Sequence, residues 1–257
     1  MYYLVFVMML LTNLAFAKDY YTTDRLMYMW NFDSERNFLM DIKSNTIAHK
    51  RGTVRWIPRE YSYHNSPVIH IHGNIDQRSS FTIPSRYLER ELTEWTLDFE
   101  FGVGSHDLDH TVRDNGELMP FGQILRWGEL RLLFYQDSGQ AWKGIVRIVY
   151  QGQTRTIEHL RGFKYYYMAV RSETNGISVW LDSYCTDYIE IPRSSMVGQP
   201  IFFGGNGFAG RFDDIKLYDK RLRPWEITAN YWGKELSVEP KQKLETLWGK
   251  LKNEMDY

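Results

Sequence analysis

The stretch "YYYMAVRSETNGISVWLDSY", Tyr165 to Tyr184, alternates apolar and polar residues on both sides of Asn175-Gly176. Successive side chains of a strand point to opposite faces, so Met168 and Val170 share one face and Arg171 takes the other. Past the turn, Ile177, Val179 and Leu181 share a face and Trp180 lies opposite. Asn-Gly between two such runs is the strongest short-range hairpin signal. The segment reads as two antiparallel strands, each with one buried side.

The same period recurs on either side of it. "DRLMYMWNFD" (24–33) places Leu26, Tyr28, Trp30 and Phe32 on one face, and "SPVIHIHGNI" (66–75) repeats the pattern before Gly73-Asn74. "EWTLDFEFGVG" (94–104) sets Trp95, Leu97, Phe99 and Phe101 against Glu94, Thr96, Asp98 and Glu100. "GQILRWGELRLLFYQDSG" (122–139) and "KGIVRIVYQGQTRTIEHL" (143–160) each read as a strand pair, turned at Trp127-Gly128 and at Gln151-Gly152-Gln153. Short strands at this spacing, with no helical period among them, predict an antiparallel sandwich or barrel. Helix signals come only at the end. Pro224 suits a first helical position, and from Pro240 a stripe of Leu244, Leu247, Trp248, Leu251 and Met255 predicts an amphipathic tail helix.

The composition agrees. Aromatic residues make up 16% of the 257, which favours pleated, half-buried surfaces and suits the flat faces of sugars. A net charge of −1 argues against a nucleic-acid binder, which carries a basic excess. Residues 1–17, uncharged and ending Ala15-Phe16-Ala17, fit a cleaved secretory signal with Lys18 as the mature start, though no Lys or Arg precedes the apolar run. An uncleaved anchor is the rival reading. Cys185 is the only cysteine, so the fold stands on its core without an internal disulfide.

In this order the motifs resemble the laminin-G-like branch of the concanavalin A-like lectin/glucanase superfamily. "LMYMWNFD" resembles its first strand and "SPVIHIHGNIDQRSSFTIP" the strand and turn before its next hairpin. "EWTLDFEFGVG", "GQILRWGELRLLF" and the opening hairpin are similar to its middle strands. "GRFDDIKLYDKRLRPWEI", Gly210 to Ile227, resembles its closing signature. Two features depart from the pattern: Asp182-Ser183-Tyr184 stands where the family often has Asp-Gly, and Arg223 replaces a small capping residue. The resemblance spans about residues 24 to 232. It implies that Asp213 or Asp214 tethers the last strand to the first, near Asp33.

Carboxylates in irregular loops make calcium ligands, so Asp33, Asp213 and Asp214 form the candidate metal set, with turn-building as the plainer role. Asp98 and Glu100 share a strand face and the alternation points them outward. Such a pair serves glycoside cleavage in the glucanase branch, yet "EWTLDFE" does not spell that branch's Glu-x-Asp-x-x-Glu. The same alternation offers Arg131, Arg171 and Trp180 as partners of Asp98 and Glu100 on one sugar-binding face. A loop-rim site would use Trp127, Trp142 and Tyr184 instead. His70 and His72 share a strand face, and "GSHDLDH" (104–110) holds two more histidines, both compatible with a metal. "GGNGFAG" (204–210) precedes a strand and does not open a helix, so it is not a nucleotide site.

The expected fold is an all-β, antiparallel jelly-roll β-sandwich, concanavalin A-like, over residues 18–233, with a short closing helix and a C-terminal amphipathic helix over 234–257. The expected function is an exported, non-catalytic carbohydrate-binding or adhesion module, secreted, periplasmic or at the cell surface, with calcium as its cofactor. Its partner would be a glycan or cell-surface protein, with no nucleic acid and no membrane span after cleavage. The alternatives are a glycoside hydrolase or polysaccharide lyase using Asp98 and Glu100, and a protein-binding assembly subunit.

Overall fold

In the computed structural model the described residues are 25–62, 66–72, 79–89, 92–103, 120–136, 143–161, 164–191 and 196–235. The signal segment, the tail stripe from Pro240, the "GSHDLDH" loop and Trp142 lie outside them. Among the described residues no helix is long and apolar enough to cross a membrane.

The described residues form fifteen strands, all paired antiparallel: β1 Leu26–Trp30, β2 His49–Arg51, β3 Val54–Ile57, β4 Val68–Ile71, β5 Ser80–Ile83, β6 Thr96–Val103, β7 Pro120–Trp127, β8 Leu130–Gln136, β9 Lys143–Tyr150, β10 Gln153–Arg161, β11 Tyr165–Ser172, β12 Gly176–Leu181, β13 Tyr184–Glu190, β14 Ile201–Phe203 and β15 Gly210–Tyr218. The first sheet runs β13-β12-β11-β6-β15-β4-β3, with β1 also on β15; the second runs β10-β9-β8-β7-β14-β5-β2. The expected sandwich is what these two sheets form, and no barrel closes. Arg25–Leu222 is one compact unit, and residues 223–235 belong to a second. That second unit shows helix α1, Pro224–Glu235, started by the Glu226 carboxylate accepting from the Arg223 backbone N–H at 2.7 Å. The Glu at the third helical position thus supplies half of a capping box where Arg223 cannot cap.

Between the sheets lies an aromatic core. Phe99 of the first sheet and Phe203 of the second meet edge to face at 5.2 Å, and Phe203 also meets Phe212 at 5.6 Å and Phe81 at 6.1 Å. Much of the aromatic excess is therefore packing, with the edge-on geometry that ring quadrupoles favour.

Turn chemistry sets the registers. β9 and β10 are joined by Gln151 and Gly152, both left-handed, as a two-residue hairpin requires. The β11–β12 hairpin is present, but its glycine acts differently from the expectation: Gly176 opens the strand at an ordinary φ, and a Cβ there would sit 2.2 Å from the Ile189 carbonyl oxygen. β12 turns into β13 through Asp182 and Ser183, at φ 47° and 75°, so Ser183 carries a left-handed conformation that a glycine would adopt without strain. Ser183→Gly is expected to stabilise the fold by about 1 kcal/mol, read as a melting-temperature rise of roughly 2–4 °C; an unchanged melt would show that the turn is unstrained.

Strand β15 carries a bulge. Asp213 pairs with Glu100 and Lys216 with Asp98, so Asp214 and Ile215 together oppose Phe99, and Asp214 takes up the extra residue at φ 45°. The bulge keeps Phe212, Ile215 and Leu217 all in the core although strict alternation cannot. It also marks where β15 changes partner, from β4 along 210–212 to β1 along 215–218.

Candidate functional site

Asp98 and Glu100 lie on the outer face of the first sheet, as alternation requires, but neither is open to solvent. Asp98 is 0% and Lys216 1% exposed. The Tyr167 hydroxyl donates to Asp98 Oδ2 at 2.9 Å, and Lys216 Nζ lies 3.9 Å from Asp98 Oδ1 and 3.3 Å from Asp214 Oδ2. Register explains the cluster: Asp98 is opposite Lys216 on β15 and Ala169 on β11, and Glu100 is opposite Asp213 and Tyr167. Buried charges persist where they are paired, and this triad pairs two carboxylates with one ammonium. Such a carboxylate is already committed to its neighbours and is not presented to a substrate proton. The outward solvent exposure expected for the pair is thus corrected by the structure.

Asp213 and Asp214 serve the bulge. Ser66 Oγ donates to Asp213 Oδ2 at 2.5 Å, and the Asp214 backbone N–H donates to Asp213 Oδ1 at 2.8 Å. The last strand does run beside the first, but through the backbone ladder; Ser66, which donates to the Asp213 side chain, comes from the segment before β4. Asp33 is exposed and accepts from the Asn31 side chain. Among the described residues no group of three or more His, Cys, Asp or Glu is placed to hold a metal. His70 and His72 stack with ring centroids 4.1 Å apart.

Arg171 and Trp180 share the outer face of the first sheet with Asp98, and both are engaged. Arg171 donates to Glu173 Oε1 at 2.8 Å through Nε and to the Leu222 carbonyl at 2.9 Å, while its guanidinium stacks 5.1 Å from the Trp180 ring. Trp180 is 8% exposed and its indole N–H donates to Ser178 at 3.0 Å. Ser178 in turn donates to Glu173 at 2.6 Å. The group clamps the chain leaving β15 onto β6 and β11, helped by Thr96, whose hydroxyl donates to the Lys220 carbonyl and accepts from the Leu222 N–H.

Burial is the strongest influence on Glu173 and pushes its carboxyl up. The hydrogen bonds from Ser178 and Arg171, with the charges of Arg171 and Arg221, outweigh it and hold the group below the usual carboxylate range. A carboxylate lowered in the folded state stabilises above its unfolded pKa, and that contribution is lost as pH falls through the folded value. Stability should therefore drop on the acid side below about pH 4.3, and Glu173→Gln should flatten that limb in melts taken between neutral and acid pH. An identical slope in the variant would remove Glu173 from the acid response.

Arg131 stands apart. It lies on β8 in the second sheet, opposite Arg126 and Val149, and does not join Asp98, Glu100, Arg171 and Trp180. Alternation gave its face correctly but carries no information on which sheet a strand enters. Trp127, a rim candidate, is 1% exposed, stacked 4.4 Å from Trp95 and donating to the Met196 carbonyl at 3.0 Å. Tyr184 is exposed, at 75%, on the edge strand β13 beside the free thiol of Cys185. Burial pushes that thiol above its ordinary pKa, so at neutral pH it is protonated and a poor nucleophile.

Sequence reading missed Tyr167 and Lys216, which decide the state of Asp98, and Arg126 and Arg147, which flank Arg131 in space. The pattern "RWGELR" did hold one signal, since a two-residue turn places Arg126 and Arg131 directly opposite.

No protein-family model and no curated protein sequence matches the chain. Solved structures do. A botulinum neurotoxin type C, whose uptake into cells depends on interaction with two ganglioside molecules, superposes with TM-score 0.56 at 11% identity, covering 82% of this chain and 51% of that one. Domain 4 of AbnA, an extracellular GH43 arabinanase from Geobacillus stearothermophilus solved with arabinotriose, gives 0.55 at 12%, covering 79% and 97%. The Trypanosoma rangeli sialidase gives 0.60 at 14%, covering 83% and 33%. The chain spans about half the length of the toxin chain it resembles. These neighbours establish a β-sandwich fold.

Proposed function

We propose that the chain is an exported, non-catalytic recognition module of laminin-G-like type that binds a glycan or cell-surface ligand. The observation that carries this reading is the condition of Asp98 and Glu100. The acid pair on which the hydrolase or lyase alternative rests is buried, and Asp98 is bonded to Tyr167 and beside Lys216, so this pair is not presented to a glycan. The resemblance in fold to a module solved with arabinotriose and to a ganglioside-dependent toxin supports a sugar as the ligand class.

The test is a glycan array probed with the full chain, in calcium and again in chelator, followed by an assay for cleavage of whatever is bound. Binding without release of reducing ends or unsaturated products is the expected outcome, and Glu100→Gln should bind as the parent does. Cleavage that disappears in Glu100→Gln would instead establish the hydrolase or lyase. Binding that survives chelator is independent of calcium, and loss of binding in chelator would support calcium at Asp33, Asp213 and Asp214. An array with no bound glycan would overturn the glycan as ligand in favour of a protein partner.

A further inference from the structure

Acids and bases are nearly equal over the whole chain, 32 against 31. The second sheet breaks that balance. Six of its seven strands, β2, β5, β7, β8, β9 and β14, contain neither Asp nor Glu, and β10 has one, Glu158. Its core side is apolar, and Arg126, Arg131 and Arg147 of β7, β8 and β9 lie on its outer side.

Register places them side by side. One row across the outer face reads His49, Thr82, Phe202, Arg126, Arg131 and Val149, each opposite the next on the neighbouring strand. Arg147, opposite Leu133, lies one strand beyond Arg131 and two residues along. Neighbouring strands are about 4.8 Å apart and a two-residue step is about 7 Å, so the three guanidiniums form an elongated strip. Like charges directly opposite in a sheet destabilise it. None of the three guanidiniums forms a hydrogen bond or ion pair with a described residue. Two of them are instead held on rings, Arg126 at 4.2 Å over Phe202 and Arg147 at 4.6 Å over Tyr135. Stacking fixes the plane of a guanidinium and leaves its N–H fork free for carboxylate, sulfate or phosphate. Half-buried Leu133, Ile145 and Val149 lie between the cations as apolar floor.

We propose that this face binds an acidic polysaccharide, with Arg126, Arg131 and Arg147 receiving its carboxylate or sulfate groups and the apolar floor receiving the C–H faces of its sugars. This rests on the glycan reading above and assigns it a surface and a ligand charge. A strip of cations suits a repeating anion better than a single small one. The chain's net charge of −1 does not supply the broad basic field of a nucleic-acid binder.

The experiment compares the full chain with Arg126→Gln/Arg131→Gln/Arg147→Gln on four probes: polygalacturonate, dextran sulfate, neutral dextran and a single-stranded DNA of matched charge. The parent should bind one or both acidic polysaccharides, more weakly as salt rises. Each lost guanidinium should cost about tenfold in affinity, with the melting curve of the variant confirming that it folds. A matching triple Arg→Lys variant keeps the charge but not the fork and should fall between the two. Unchanged binding in the triple Gln variant overturns the site. Binding of dextran or array glycans that are all neutral overturns the acidic ligand but keeps the module. Tighter binding of DNA than of either polyanionic sugar overturns the polysaccharide, and no sugar binding at all removes this proposal and the glycan reading together.

Discussion

Replacing Lys216 with methionine is expected to destabilise the chain by about 3–5 kcal/mol, a fall in melting temperature of roughly 6–20 °C for a domain of this size. Methionine fills the volume of the lysine stem, so the loss measures the ammonium and not a cavity. Without it, Asp98 and Asp214 remain as two carboxylates facing a site with 1% solvent exposure at its centre. Removing one partner of a buried ion pair costs far more than the pair contributes, because the other charge is left uncompensated. Lys216→Met combined with Asp98→Asn removes the charge on both sides and is expected to recover most of the loss, since Asp214 keeps some contact with water. A single variant that melts with the parent would show that the ammonium does not hold this face together.

Asp41→Ala is expected to cost about 3 kcal/mol or more, from the loss of three charge-assisted hydrogen bonds of roughly 1.5–3 kcal/mol each, partly offset by water reaching the donors left behind. Asp41 is fully buried at the root of the 41–46 loop. Its Oδ1 accepts from the Met29 backbone N–H in β1, and its Oδ2 accepts from the backbone N–H and the hydroxyl of Ser44, each at 2.5 Å for the latter pair. The loop is closed by Asp41 N–H to the Thr46 carbonyl at 2.8 Å and by Asn45 in the left-handed region at φ 57°. One carboxylate therefore ties a tight turn to the first strand. Asp41→Asn keeps one acceptor oxygen and should lose about half as much. Amide exchange at Met29 and Ser44 should quicken in Asp41→Ala; protection equal to that of the parent at both would refute the tether.

The split between what was legible and what was not follows from the range of the signal. Period-two alternation depends on the side chains of one strand, so it marked the inward rows Leu97-Phe99-Phe101 and Ile177-Val179-Leu181 and the strands that carry them. Two-residue turns are equally local, and Gln151-Gly152 was readable for that reason. The state of Asp98 was not local. Its partners, Tyr167 and Lys216, stand 69 and 118 positions away and reach it only because β6 lies between β11 and β15.

From the sequence came the all-β class, the order of the strands and the side of each strand that a residue occupies, because those properties are set by neighbours one to four residues apart. The tertiary structure alone decided that Arg131 belongs to the other sheet from Arg171, that Asp213-Asp214 is a bulge letting Phe212 and Ile215 both face the core, and that Asp98 is buried. Each of these depends on which strands pair, and pairing is a contest between whole buried faces that no single strand's pattern records.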